Sequence, residues 1–164
     1  MARTIPVEIS ENLSAEQKSL SRALLHLRQW PLPPLLKPGQ RFEGWQVDSV
    51  LAQSRQSLLY RVRDAQQQPW LLKTLPLSRD DDSDAGQALL SEEWFLRRVA
   101  GRAFPEVHAA SGRQHLYYVM REYPGQTLAE LFQHQGPLPL AQWQSVAERL
   151  LRAVGMLHRR QILH

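Results

Sequence analysis

The apolar and polar positions along the chain predict three strands, one helix and two further strands, in that order. Short runs rich in leucine, valine and aromatic residues cover 45–51, 57–63 and 70–75, and the polar turn 64–67 separates the second run from the third. This arrangement is typical of an antiparallel meander. An acidic stretch at 78–84 precedes a helix predicted over 85–100, because acidic side chains favour the positive end of a helix dipole. Strand-like runs follow at 106–110 and 116–122.

Two helices are predicted after Pro124 and Gly125. A short one covers 128–135, where Gly136 and Pro137 end it, and a longer one covers 139–160. The longer helix carries an apolar stripe with helical spacing, formed by Leu140, Trp143, Ala147, Leu150, Val154 and Leu157. Each large side chain of such a stripe forgoes about 1.5–3 kcal/mol of burial when it stays exposed. We therefore expect this helix to self-associate, to bind a protein partner or to fold onto the strands.

The first forty residues stand apart from this pattern. A short strand is predicted at 7–9, and the capping-box sequence at 14–17 opens a helix with apolar positions Leu20, Leu24 and Leu27. Prolines at positions 31, 33 and 34 exclude a continued helix, so 30–40 is predicted to be a linker. The chain then divides into a terminal segment with its linker at 1–40, a sheet-and-helix unit at 41–123 and a helical segment at 124–164.

Composition and charge narrow the classes of function. The chain has no cysteine, which excludes disulfides and thiolate metal sites, and its six histidines form no pair with metal-ligand spacing. The net charge is +4, but the adjacent arginines at 97–98 and 159–160 lie on predicted helices and indicate solvated faces rather than a nucleic-acid surface. No stretch approaches the roughly 18 apolar residues of a membrane span. We therefore expect a cytoplasmic chain that binds neither nucleic acid nor membrane.

A lysine and a glutamate interrupt predicted apolar faces on neighbouring elements. In the third strand Lys73 shares a face with Leu71 and Leu75, because strand side chains alternate. On the next helix Glu92 falls in the middle of the apolar stripe and Glu93 at its edge. Since a charge in such a place is costly unless paired, we predict an ion pair between Lys73 and Glu92. The alternatives are a lysine that reaches solvent and a glutamate on a wetter patch of the helix.

With this pair, the chain resembles a Ser/Thr protein kinase over about 38–164. The resemblance rests on four stretches, namely WLLK at 70–73, SEEW at 91–94, LYYVMREYPGQTL at 116–128 and LHRRQILH at 157–164. It implies an α+β fold with a five-stranded antiparallel sheet and one packed helix at 41–123, the kinase N-lobe, followed by two helices of an incomplete helical lobe. It also implies that Lys73 positions the α- and β-phosphates of ATP and pairs with Glu92.

The loop between the first two strands departs from the kinase pattern. Ala52, Ser54 and Ser57 occupy its three glycine positions, as aligned by Leu51 before the loop and Leu59 after it. Glycine permits a close approach of the backbone to phosphate, so we expect weak ATP binding. The serine hydroxyls and the backbone amides remain as donors.

The resemblance also implies which residues surround the adenine ring. Leu71 stands where kinases usually have a small alanine, and it narrows the pocket. Met120 takes the gatekeeper position, and the backbone of Arg121 and Tyr123 offers hydrogen bonds to adenine. A methionine on a strand is also ordinary core packing, and the two roles are compatible.

A narrower resemblance is to bacterial proteins that fuse a metal-dependent protein phosphatase to a kinase. It rests on LPPLLKPG at 32–39, the serine-containing loop, EEW at 92–94 and HRR at 158–160. In those proteins the phosphatase comes first, so residues 1–30 would be its last strand and a trailing helix.

The expected function follows from the part of a kinase that the resemblance covers. In kinases an aspartate orients the substrate hydroxyl, and an aspartate and an asparagine hold Mg²⁺; all three follow the matched region. The resemblance thus implies the ATP-binding lobe of a truncated kinase, inactive by itself, with Mg²⁺ used only in a complete parent protein. The alternative is a non-catalytic module that uses a kinase-like sheet to bind a protein.

Overall fold

The computed structural model describes residues 30–79, 83–99, 101, 103–108 and 112–159. The strand predicted at 7–9 and the helix predicted from residue 14 lie outside the described residues, as do the middle of the acidic stretch and the end of the strand predicted at 106–110.

A five-stranded antiparallel sheet forms the centre of the described chain, and its strands lie in chain order. The strands are β1 (Arg41–Phe42), β2 (Trp45–Gln53), β3 (Leu58–Arg63), β4 (Pro69–Thr74) and β5 (Tyr118–Arg121). A 3-10 turn at Leu77–Arg79 leads from β4 to the helix α1 (Ser83–Arg98), and β5 is followed by α2 (Leu128–Gln135) and α3 (Leu140–Arg159). The predicted α+β class, a sheet with one helix followed by two helices, is confirmed.

The membership of the sheet differs from the prediction at both edges. The two-residue strand β1 pairs with β2, whereas the segment predicted as a strand from residue 106 forms a single bridge, between Val107 and Met120. Two backbone hydrogen bonds flank that bridge, from the His108 amide to the Val119 carbonyl at 2.8 Å and from the Arg121 amide to the Glu106 carbonyl at 2.7 Å. Pro105 immediately before it has no amide hydrogen, which limits the pairing at that end.

The buried face of the sheet carries the largest apolar cluster of the described residues. In β3 and β4 every second residue is buried, as expected for strands that cover a core on one face. The sheet cluster consists of Leu36, Phe42, Trp45, Val47, Leu58, Tyr60, Val62, Trp70, Leu72, Tyr117 and Val119. It fixes the register of the strands, because a shift by one residue would expose the whole set.

A second cluster attaches α1 to the sheet. This helix cluster consists of Leu32, Leu75, Leu89, Leu90, Leu116 and Tyr118, with Met120 and Trp30 packed at its edge. It joins one face of α1 to β5 and to the chain that follows β4. The position of α1 relative to β4 therefore depends on this contact.

The segment predicted as a linker is packed rather than free. Residues 30–37, the strap, form no helix or strand, yet Leu32 lies in the helix cluster and Leu36 in the sheet cluster. The Leu36 amide donates to the Tyr60 hydroxyl at 3.2 Å, and the Pro31 carbonyl accepts from the Leu116 amide at 2.8 Å. Proline excludes regular structure here but does not exclude burial, which the linker prediction overlooked.

The two helices after β5 are only partly covered. The hydroxyl of Thr127 accepts from the Glu130 amide, and the Glu130 carboxylate accepts from the Thr127 amide, so a capping box begins α2. In α3 Leu157 is buried against Val99 of the chain after α1, but the other five members of the predicted stripe are exposed, namely Leu140, Trp143, Ala147, Leu150 and Val154. None of the described helices is long and apolar enough to cross a membrane.

Candidate functional site

The predicted lysine and glutamate meet at the junction of β4 and α1. The Lys73 ammonium donates to both carboxylate oxygens of Glu92, each at 2.7 Å. The pair is partly solvated, with 22% of the Lys73 side chain and 43% of the Glu92 side chain exposed. Lys73 lies between Leu59 of β3 and Tyr118 of β5 in the strand register. A cation at this place, held by one carboxylate and open to solvent on another side, is able to bind an anionic ligand.

The burial of the two adjacent glutamates is the reverse of the prediction. Glu93 is the buried one, and its carboxylate accepts from Arg97 and from Arg113, each at 2.8 Å. The buried positions of α1 are 86, 89, 90 and 93, so the helix is rotated by about one residue from the predicted face at about 100° per residue. Glu92 therefore lies beside the core, at a position from which it reaches Lys73.

Tyr118 places a third polar group beside this pair. Its side chain is buried in the helix cluster, and its hydroxyl completes no hydrogen bond within the described residues. Burial, together with the Glu92 carboxylate, raises the pKa of the Tyr118 hydroxyl. The group therefore stays protonated and contributes no charge to the site.

The loop between β2 and β3 is closed by hydrogen bonds to one of its own serines. The Ser54 hydroxyl accepts from the Gln56 amide at 3.1 Å and from the Ser57 amide at 3.0 Å. The Ser54 amide donates to the Ser57 carbonyl at 2.9 Å, which closes the turn. The sequence predicted donors at this loop, but in the structure Ser54 occupies two of them.

A pocket of about 560 Å³ lies between this loop, the end of β4 and the start of α1. Gln56 and Ser57 of the loop line it together with Lys73 and Glu92, and Asp84, Ala85, Ala88, Leu89 and Leu75 complete its wall. Residues of the loop, each with a backbone amide, and the lysine therefore line one space. Those are the two kinds of group that bind phosphate in proteins.

The residues predicted around adenine fall into three places. Leu59, Leu71 and Met120 share the face of the sheet that carries Lys73, because Leu59 pairs with Lys73 and Leu71 pairs with Met120. Leu51 and Ala52 are exposed at the end of β2.

Of the two predicted hinge residues, Tyr123 lies beyond β5 and is exposed. The Arg121 amide donates a hydrogen bond to the Glu106 carbonyl, so this amide is not free to donate to a ligand.

The fold is shared with solved kinase domains. The kinase domain of Mycobacterium tuberculosis PknI matches with a TM-score of 0.64 and 22% identity, over 79% of this chain and 53% of the PknI chain. A single-residue mutant of that domain matches with a TM-score of 0.64 and 21% identity, over 80% of this chain and 55% of the PknI chain. The apo form of PpkA-294 matches with a TM-score of 0.50 and 19% identity, over 61% of this chain and 43% of that chain. This chain has the fold of a kinase N-lobe.

Sequence comparison adds no family to this likeness. No protein-family model matches the chain, and no curated protein does. The chain spans about half the length of the PknI kinase domains that it matches. The structural likeness therefore establishes the fold of the kinase-like lobe, and the roles of individual residues are argued from their geometry.

The ion pair between Arg61 and Glu122 is among those that were not predicted from the sequence. Arg61 lies beside Leu71 on the face that carries Lys73, and its guanidinium contacts the Glu122 carboxylate at 2.7 Å. This pair ties β3 to the chain that leaves β5. The alternation of Leu59, Arg61 and Arg63 along β3 was the signal for it, since it places two arginines on the face that carries Lys73.

Proposed function

We propose that this chain forms the nucleotide-binding lobe of a kinase-type domain, with ATP as the ligand. The observation that carries the proposal is the Lys73–Glu92 pair on the wall of a pocket that residues of the β2–β3 loop also line. Glu92 holds the ammonium of Lys73 in place, and the partly exposed ammonium remains open to phosphate oxygens. In kinases this arrangement positions the α- and β-phosphates for transfer.

The apolar face beside Lys73 supports adenine as the other half of the ligand. Leu59 and Leu71 adjoin Lys73 on the sheet, and Met120 lies behind Leu71. A flat apolar ring is stabilised by such side chains through burial. Leu71 is larger than the alanine usual in kinases, which predicts a shallow adenine site.

The decisive test is ATP binding with and without Lys73. Millimolar ATP with Mg²⁺ is expected to raise the melting temperature of the chain, because a ligand that binds only the folded form stabilises it. Lys73→Ala is expected to weaken the ATP affinity by about 10- to 100-fold, the size of a lost charge-assisted hydrogen bond. Differential scanning fluorimetry over an ATP titration measures both effects.

Lys37→Ala is the matched control, because it removes an equal charge from an exposed position outside the pocket. It should keep the ATP-dependent shift. An equal shift in Lys73→Ala and the unchanged chain, or no shift in a chain shown to be folded, would disprove the proposal.

Ser54 is expected to limit the affinity for phosphates. Because its hydroxyl occupies the Gln56 and Ser57 amides, phosphate oxygens must displace it. Ser54→Ala is expected to raise the affinity for ATP by about 3- to 10-fold, since two amides become free donors. The affinity for adenosine, which has no phosphate, should stay the same. Isothermal titration with both ligands measures the difference.

Ser145→Ala is the matched control, since it removes the hydroxyl of an exposed serine on α3, outside the loop and the pocket. It should leave both affinities unchanged. If Ser54→Ala weakens ATP binding, or changes adenosine and ATP alike, the serine shapes the loop rather than competing with phosphate.

The second candidate, a non-catalytic protein-binding module, is favoured by one observation. The face of α3 that carries Leu140, Trp143 and Leu150 is exposed, and a folded chain that binds no ATP would give this candidate the greater weight.

A further inference from the structure

Besides the packing of Leu32 and Trp30 in the helix cluster, Arg113 links the strap to the helix that carries Glu92. The ring of Trp30 lies against the guanidinium of Arg113, with 4.3 Å between the guanidinium carbon and the ring centroid. Arg113 donates to the Glu93 carboxylate at 2.8 Å and to the Tyr117 carbonyl. Trp30 therefore covers an arginine that joins α1 to the chain before β5.

The Arg113–Glu93 pair is much drier than the pair at the pocket. Only 10% of the Arg113 side chain and 8% of the Glu93 side chain are exposed, whereas Lys73 and Glu92 are partly solvated. Ion pairs in water are weak and permit motion, while pairs removed from water hold a defined geometry. The buried pair therefore acts together with the helix cluster to hold α1 in position.

Glu92 and Glu93 are adjacent on the same turn, so the position of one fixes that of the other. A displacement of α1 that separates Glu93 from Arg113 also changes the distance between Glu92 and Lys73. The Trp30 ring opposes such a displacement in two ways, since it attracts the guanidinium and keeps water from the ion pair.

We propose that Trp30 is a positioning residue for the nucleotide site, acting through Arg113, Glu93 and the placement of α1. The proposal rests on the proposed function for its effect on ATP, whereas its effect on α1 is independent of any ligand. Trp30 is not among the residues that line the pocket.

The experiment compares Trp30→Ala and Trp30→Phe in the full chain. Trp30→Ala is expected to weaken the affinity for ATP about fivefold, which is the size expected for the loss of one cation–π contact. Trp30→Phe should keep most of the affinity for ATP, because an aromatic ring remains at this position. Trp143→Ala, which removes an exposed tryptophan of α3, is the matched control. Hydrogen–deuterium exchange should become faster in α1 of Trp30→Ala, while the amides of α2 exchange as before.

A double-mutant cycle separates positioning from general stability. In a Glu92→Gln background α1 no longer holds Lys73 by an ion pair, so adding Trp30→Ala should cause no further loss of ATP affinity. A fivefold loss in both backgrounds, or in neither, would overturn the proposal, as would unchanged exchange of α1. If the unmodified chain binds no ATP, the proposed function fails by itself, and exchange of α1 still decides whether Trp30 positions the helix.

Discussion

Arg113→Met is expected to lower the free energy of unfolding by about 3 kcal/mol, the lower end of the range for one partner lost from a buried ion pair. The substitution leaves the Glu93 carboxylate in a site where only 8% of its side chain is exposed. The loss stays at the lower end because Arg97 still donates to Glu93. Urea denaturation followed by far-ultraviolet circular dichroism measures the change as a lower midpoint with an unchanged slope.

Two further variants show whether the buried charge is the cause. Glu93→Gln combined with Arg113→Met should recover much of the loss, because no unpaired charge remains. Arg152→Met breaks an exposed pair with Glu148 on α3 and should not change the midpoint measurably. A loss in Arg113→Met below about 1 kcal/mol would mean that water already reaches Glu93.

Leu36→Ala is expected to lower the free energy of unfolding by about 3 kcal/mol, within the range for leucine removed from a packed core. Leu36 is 2% exposed in the sheet cluster, although the sequence places it in a predicted linker. The chain itself supplies the control, because its neighbour Leu35 is 58% exposed. Leu35→Ala should change stability by less than about 0.5 kcal/mol.

The comparison of the two leucines also tests where the folded unit begins. Equal effects of Leu35→Ala and Leu36→Ala would indicate a strap that is loosely attached in solution. The expected large difference would mean that the folded unit starts before Arg41, since the strap supplies part of its core.

The sequence predicted those features that depend on local periodicity. The alternation along β3 and β4 predicted both strands and the face that carries Lys73. The polar residues at 64–67 predicted the turn between these strands. The pairing of Lys73 with Glu92 followed because both charges interrupted apolar faces. Local patterns were sufficient here because strand neighbours in this sheet are also neighbours in the chain.

The errors arose where distant residues decide the outcome. Which of Glu92 and Glu93 is buried depends on Arg113, twenty residues further on, and nothing near α1 in the sequence indicates that arginine. The burial of Leu36 depends on the Tyr60 hydroxyl in β3. The Ser54 hydroxyl accepts hydrogen bonds from loop amides because the chain turns at this loop. The residue types alone do not show whether this hydroxyl accepts or donates.

The two ion pairs on either side of α1 differ in how they respond to dissolved salt. At about 0.15 M ionic strength the screening length is about 8 Å in water, but pairs removed from water are screened much less. Lys73 and Glu92 are partly solvated, whereas Arg113 and Glu93 are nearly dry. Salt is therefore expected to weaken the contact between α1 and Lys73 more than the contact between α1 and Arg113.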